Sequence, residues 1–195
     1  MPASTLLLES EAGDRTGRTL DDDAQIMQEA AAGRVDRFAE LVARHQSPLF
    51  RVAMSRLGNR AAAEDAVQET FLAVFRSRGT YRPEQPFRPW LWTIHKNACD
   101  AVRRKEDRQP ATLERIAATA SDGVADRLLV KELLDRLPSE QADAVRLRFF
   151  GALTYDEIAV VQQCPTPTAK NRVRYALEKL ATLLDETESK NVRRT

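Results

Sequence analysis

Residues that build metal sites and disulfide frameworks are scarce in this sequence. It has two cysteines, Cys99 and Cys164, and two histidines, His45 and His95. All four are isolated and in no metal-ligand spacing, which excludes a zinc site and points to reduced thiols in a cytosolic protein. Aromatics reach only 6% and glycines number seven, while alanine, leucine, arginine and glutamate abound. That balance favours helices over sheet. No apolar run approaches the ~20 residues of a membrane helix. The N-terminus MPASTLLLES lacks a basic segment before its leucines and does not read as a signal peptide. A soluble intracellular protein without membrane insertion is expected. An excess of one charge is missing too, with 30 basic against 29 acidic residues. Any nucleic-acid surface must therefore be local and balanced by acid elsewhere. Neither a nucleophile–base pair nor a phosphate-cradling loop is present, so the expectation is no enzyme and no cofactor.

What is there is helical patterning in two blocks. Residues 1–20 show no periodicity and read as a flexible tail. Periodicity then runs through 21–105, with breaks near Gly33, Pro48, Gly58-Asn59 and Gly79 to Pro89. The stretch 106–123, EDRQPATLERIAATASDG, is poor in large apolar residues and reads as a linker. A second block, 124–188, is broken at Pro138, Gly151 and Gln163 to Pro167, and 189–195 form a basic tail. The expected fold is all-α: two small helical domains on a flexible linker, the C-terminal one containing a helix-turn-helix.

That helix-turn-helix is carried by LTYDEIAVVQQCPTPTAKNRV, 153–173. Thr154 and Glu157 have capping-box spacing, and Ile158, Ala159 and Val161 supply the buried side of a short helix. Thr166 as N-cap and Pro167 at the first helical position restart the chain. Ala169, Val173, Ala176, Leu177, Leu180 and Leu184 then fall in one stripe. The opposite face presents Asn171, Arg174, Tyr175 and Glu178, flanked by Lys170 and Arg172. Amide, guanidinium and phenol groups there are what major-groove readout requires. Such a module alone fits many transcription regulators. If Gln163 takes a left-handed conformation in the turn, it costs on the order of 1 kcal/mol relative to glycine.

In the first block, AAAEDAVQETFLAVFRS (61–77) buries Val67, Phe71, Val74 and Phe75. Asp65, Gln68, Glu69 and Leu72 form an acidic strip beside that face. In the helix PWLWTIHKNACDAVRRK that begins at Pro89, the residues Trp90, Leu91, Ile94, Ala98 and Ala101 are expected inward. Trp92, Lys96, Cys99 and Arg103 form a second, outward stripe, suited to phosphate contact and base stacking. The alternative is a packed Trp92 covered by another helix.

AEDAVQETFLAVFR followed by PFRPWLWTIHKNACDAVRRK resembles region 2 of the sigma-70 family in its compact extracytoplasmic-function (ECF) form. LDRLPSEQADAVRLRFFGALTYDEIA and KNRVRYALEKL are similar to region 4 of that family. The resemblance spans about 22–184, in the family's order and with its linker.

The resemblance implies a protein that binds core RNA polymerase, through the β′ clamp and β flap, and directs it to promoters. Asp65, Gln68, Glu69 and Leu72 would dock on the clamp. Arg88, Trp92, Lys96, Asn97, Arg103 and Arg104 would hold the opened −10 element, and Thr168, Lys170, Asn171, Arg172, Arg174 and Tyr175 would contact the −35 element. Polymerase would do the chemistry, and an anti-sigma factor is an expected partner. Against this stand a helix-turn-helix regulator acting without core polymerase and an adaptor that sequesters a partner. Gln163 and Pro167 stand where many relatives have glycine, and Thr166 and Ala169 replace residues commonly larger and apolar. Those departures bear on −35 preference more than on the fold.

Overall fold

The computed structural model describes residues 13–108 and 124–192, and every regular element among them is helical. Helix α1 runs Gly13–Ala31, α2 Phe38–Leu57, α3 Arg60–Arg76 and α4 Phe87–Asp107. Helices α5 (Val124–Asp135) and α6 (Ser139–Val145) follow, the latter continuing as a π-helical turn over Arg146–Phe150. The chain ends with α7 (Tyr155–Val161) and α8 (Thr166–Val192). Residues 1–12 of the expected tail, most of the expected linker (109–123) and 193–195 lie outside the described residues. The part of the tail that is described, from Gly13, belongs to α1, and the expected basic tail is helical as far as Val192.

Local chemistry sets most boundaries. Gly33 takes φ +103° just past α1, a conformation that favours glycine. Gly58 ends α2 in a left-handed conformation, its N–H donating to the Met54 carbonyl. Asn59 then caps α3, its side-chain oxygen accepting from Ala62 N at 3.2 Å. Pro48 does not break the chain as expected. It sits inside the 20-residue α2, where packing of Leu41, His45, Leu49 and Val52 outweighs the one backbone bond that proline removes. Pro89 falls in the first turn of α4, where no N–H partner is needed.

Packing joins the two helical blocks. In the first, α3 lies against α2 and α4; in the second, α8 lies against α6 and α7. Across the divide α4 packs on α7, and α2 on the π-helical turn and on α5. One apolar cluster runs through both: Leu41, Leu49, Leu91 and Trp92 with Leu147, Leu153, Ile158 and Val173. Ion pairs surround it. Arg56 reaches Asp100 at 2.7 Å and, in the other block, Asp143 at 3.4 Å. Buried Asp23 ties α1 to α2 through Arg44 at 2.8 Å and His45 at 2.7 Å.

The turn between α7 and α8 resolves its unusual composition. Cys164 N donates to Ala159 O and Gln163 N to Val160 O, the paired bonds of a Schellman stop. Gln163 therefore sits at φ +51°, where glycine has no Cβ penalty. Gln163→Gly should raise unfolding free energy by about 1 kcal/mol, read from the urea midpoint at unchanged slope. A loss of stability would show that the Gln163 side chain contributes more than its backbone strain costs. Thr154 and Glu157 form the expected capping box, with bonds of 3.2 and 2.8 Å. The second start differs from expectation. Pro165 O accepts from Thr168 N and Ala169 N, so Thr166 is already helical, and its hydroxyl bonds Asp156 at 2.7 Å instead of capping.

Candidate polymerase and promoter interfaces

Asp65, Gln68, Glu69 and Leu72 are all exposed on α3. Neither carboxylate forms an ion pair among the described residues, whereas neighbouring Glu64 is paired with Arg60 at 2.8 Å. The first three line an open groove of about 890 Å³ between α3 and α4, floored by Ala62, Ile94 and Ala98. A surface with an apolar floor, free carboxylates and one exposed leucine suits a basic helical partner.

On α4 the structure corrects the expected faces. Trp92 is 1% exposed and Cys99 equally buried, so they do not form an outward stripe with Lys96 and Arg103. The buried line is Leu91, Trp92, His95 and Cys99, while Ala101 is exposed and Trp90, Ile94 and Ala98 are half-buried. The apolar packing that hides Trp92 comes from the second block, including Leu147 and Leu153. Arg88 is also engaged: its guanidinium donates to Glu157 at 3.3 Å and to the Gly151 and Ala152 carbonyls at 3.2 and 3.1 Å. Asn97, Arg103 and Arg104 are exposed, and Lys96 is half-buried beside Asp100 at 3.4 Å.

The indole nearer the surface is Trp90, which the sequence pattern placed inward. It packs in tilted contact with the rings of Tyr81 and Phe87, centroids 4.9 and 5.8 Å away. Tyr81 closes the loop before α4 by donating to Gln85 O at 2.7 Å. Burial, with the Asp23 and Glu84 carboxylates nearby, pushes its phenol up to about 12, so it stays a neutral donor. The aromatic spacing in TYRPEQPFRPW was the available signal for this cluster.

His95 and Cys99 carry no reactive chemistry. Desolvation lowers the imidazole from 6.5 to about 3 and raises the Cys99 thiol to about 12. The ring is held by Thr70 Oγ1 at 2.9 Å. Since the folded chain refuses a proton that the unfolded chain accepts below 6.5, this group's contribution to stability is complete above that pH and declines as pH falls. The loss from pH 7.5 to 5 should be about 2 kcal/mol greater than in His95→Gln, measured by urea unfolding at both pH values. Equal losses would mean that His95 is charged in the fold.

On α8, Lys170, Asn171, Arg174 and Tyr175 are exposed, and Thr168 is half-buried. Arg174 lies over the Tyr175 ring at 4.4 Å and 3.7 Å from Glu178, so the three form one exposed polar ridge. Arg172 departs from expectation. It is pinned on Glu140 and on Gln162 at 3.0 Å, a strut within the block and not a free phosphate grip. Ala169, Val173 and Ala176 are buried as expected, but Leu177 and Leu184 are 42% and 43% exposed, and Leu183 takes the inward place.

Among the described residues no group of histidines, cysteines and carboxylates could hold a metal, and no helix is long and apolar enough to cross a membrane.

Comparison with known proteins places both blocks. Residues 41–109 match the family model for Sigma-70 region 2 and residues 127–180 that for Sigma-70, region 4. The chain is 36% identical over 163 residues to the RNA polymerase sigma factor CarQ of Myxococcus xanthus, covering 80% of this chain and 94% of the relative. It is 32% identical over 173 residues to the ECF RNA polymerase sigma factor SigM of Mycobacterium tuberculosis, covering 86% and 87%. Among solved structures it resembles CnrH, determined in complex with the cytosolic domain of CnrY, with TM-score 0.70, 26% identity and coverage of 84% and 97%. With both regions matched in order and the helical architecture shared, the chain belongs to the extracytoplasmic-function sigma factors of the sigma-70 family and is an alternative sigma factor.

Proposed function

We propose that the chain binds core RNA polymerase through Asp65, Gln68, Glu69 and Leu72, which dock on the β′ clamp. Residues 21–105 act as the −10 module and 124–188 as the −35 module, with 106–123 spanning the channels between them and the β flap holding the second module. Lys96, Asn97, Arg103 and Arg104 grip the opened −10 strand. Trp90 and Tyr81 offer the stacking surface there, in place of Trp92. Thr168, Lys170, Asn171, Arg174 and Tyr175 meet the −35 element, each good bidentate base contact contributing about 1–3 kcal/mol of discrimination. The chain works in the bacterial cytoplasm, leaves the chemistry to polymerase, and is restrained by an anti-sigma factor, a partner that membership of the family implies.

The observation that carries this reading is the pairing, on one chain of net charge +1, of free carboxylates on α3 with an exposed basic and amide ridge on α8. Opposite charges on separate faces serve an enzyme with a basic clamp and a polyanionic template together. The test is gel filtration of the chain with core polymerase, followed by run-off transcription from a promoter library. Co-elution and promoter-specific transcripts are expected. Failure to bind core and to start transcripts sinks the reading.

A further inference from the structure

Asp23, on α1, is 2% exposed and takes no part in the contacts proposed above. Its two oxygens accept from consecutive residues of α2: Oδ1 from Arg44 at 2.8 Å and Oδ2 from His45 Nε2 at 2.7 Å. The two partners lead in different directions. The His45 ring lies 5.7 Å from Phe87, and Phe87 in turn meets Tyr81 and Trp90, each at 5.8 Å. Asp23 is thus joined through two rings to Tyr81 and Trp90, and after burial its charge is the largest influence raising the Tyr81 phenol. Arg44 instead reaches the surface: its side chain is 37% exposed against 3% for that of Asp23. Asp23 is its hydrogen-bonded acceptor, with Glu40 standing 3.9 Å away. A guanidinium has five N–H donors in a rigid fork, so most of them are left for an outside acceptor.

Packing alone does not require this arrangement. Ile26 and Met27 already seat α1 in the apolar cluster, and a buried carboxylate costs desolvation that its partners repay only with good geometry. What Asp23 adds is direction, since it holds a long, rotatable side chain in one pose. We propose that Arg44 grips a phosphate of the opened strand beside Tyr81 and Trp90, and that Asp23 is its positioning residue. The proposal rests on reading those two rings as part of the −10 module, and it extends that module to α1 and α2. Phosphate oxygens match the guanidinium fork, and a strand laid on the two rings needs its backbone held close by. A carboxylate nearby ordinarily repels DNA. Here it is sealed beneath the arginine, so it is met by Arg44 and His45 and not by the strand.

The test measures the anisotropy of a labelled mixed-sequence single strand with the full chain across a salt series. Arg44→Gln should weaken binding about ten-fold, as expected for one charge-assisted contact. It should also flatten the slope of log affinity against log salt by about 0.7. Arg60→Gln makes the same charge change on α3, at a side chain 78% exposed and paired with Glu64. It should shift affinity less than about two-fold and leave the slope unchanged. Arg44→Lys keeps the charge without the fork, and should recover the slope but only part of the affinity. Asp23→Asn is the sharper arm, because removing a negative charge favours DNA on electrostatic grounds alone. Positioning predicts the reverse: about five-fold weaker binding, since a released arginine must surrender its rotamer freedom again. Tighter or unchanged binding by Asp23→Asn overturns the inference, and so does an equal effect of Arg44→Gln and Arg60→Gln. Should Asp23→Asn lose its helical circular dichroism, the Arg44 variants against Arg60→Gln decide alone. Weaker binding of Arg44→Gln to core polymerase with unchanged strand binding would assign Arg44 to a protein partner and overturn the inference as well. Promoter-specific transcripts from the wild type with no Arg44 effect on the strand keep the sigma-factor reading and sink only this proposal. The Arg44 effects without any such transcript do the converse.

Discussion

Trp92→Ala should lower unfolding free energy by about 3–5 kcal/mol, the range for emptying a fully buried tryptophan site. Trp92 is among the largest fully buried side chains of the molecule and touches the apolar cluster common to both blocks. Its ring also meets His95 edge-on at 5.5 Å, a contact that alanine abolishes. Little can collapse into the gap, because Gly151, on which a Cβ would stand 3.1 Å from the indole, lies in a turn fixed by backbone bonds from Gly151 N to Arg146 O and Leu153 N to Leu147 O. Trp92→Phe should cost less, about 1–2 kcal/mol, since it keeps an aromatic ring and removes the unpartnered indole N–H. Urea unfolding of the three chains reads this directly. A tryptophan serving as an exposed stacking platform gives the opposite pattern, a stability within about 0.5 kcal/mol of wild type and a loss of single-strand binding. That pattern would restore Trp92 to the promoter surface.

The reversal at Trp92 shows where sequence reasoning reached its limit. Signals confined to a few residues were legible: the Thr154–Glu157 capping box, the Gly58-Asn59 junction and the left-handed Gln163 are all present. The exposed strip on α3 was legible as well, but its buried face only in part: Ala62, Ala66, Thr70 and Val74 lie inward, whereas Val67, Phe71 and Phe75, expected to be buried, are half-buried. Helix α4 is packed by α3 on one side and α7 on another, so it carries two apolar stripes. Periodicity distinguishes apolar from polar faces, but two covered faces leave it no polar reference. A second stripe containing tryptophan, lysine and arginine then reads as a binding face when half of it is core.

Long-range polar pairing escaped for a related reason. Arg172 with Glu140 is a contact across 32 residues and Arg88 with Glu157 one across 69. A guanidinium on a helix looks free until the partner that folding brings to it is known. The same holds for Thr166, an apparent N-cap whose hydroxyl turns to Asp156 because Pro165 already supplies the first helical acceptor. The exposed Leu177 and Leu184 went the other way: α8 continues to Val192, and its inward line passes to Leu183.

Asp65→Ala with Glu69→Ala should weaken binding to core polymerase by about ten- to hundred-fold, or roughly 1.4–2.8 kcal/mol at 1.4 kcal/mol per decade, while leaving the fold unchanged. Both side chains are exposed on α3 and neither forms an ion pair among the described residues, so their removal disturbs no internal network and stability should stay within about 0.5 kcal/mol. Their charge is available to an incoming basic helix, and close interfacial charge pairs couple by about 1.5–7 kcal/mol where desolvation is complete. The lower part of that range applies on an open groove, where solvent screens each charge. Glu64→Ala is the internal control. It lies on the same helix and removes the same charge, but its carboxylate is already paired with Arg60, and it should change affinity less than about three-fold. Salt sharpens the contrast: wild-type affinity should fall steeply between about 0.05 and 0.5 M, and the double variant should respond weakly. Binding to a −35 duplex should be indifferent to both changes, because those contacts come from α8. If Glu64→Ala and the double variant weaken core binding equally, only overall charge is being read, and α3 is not the docking surface.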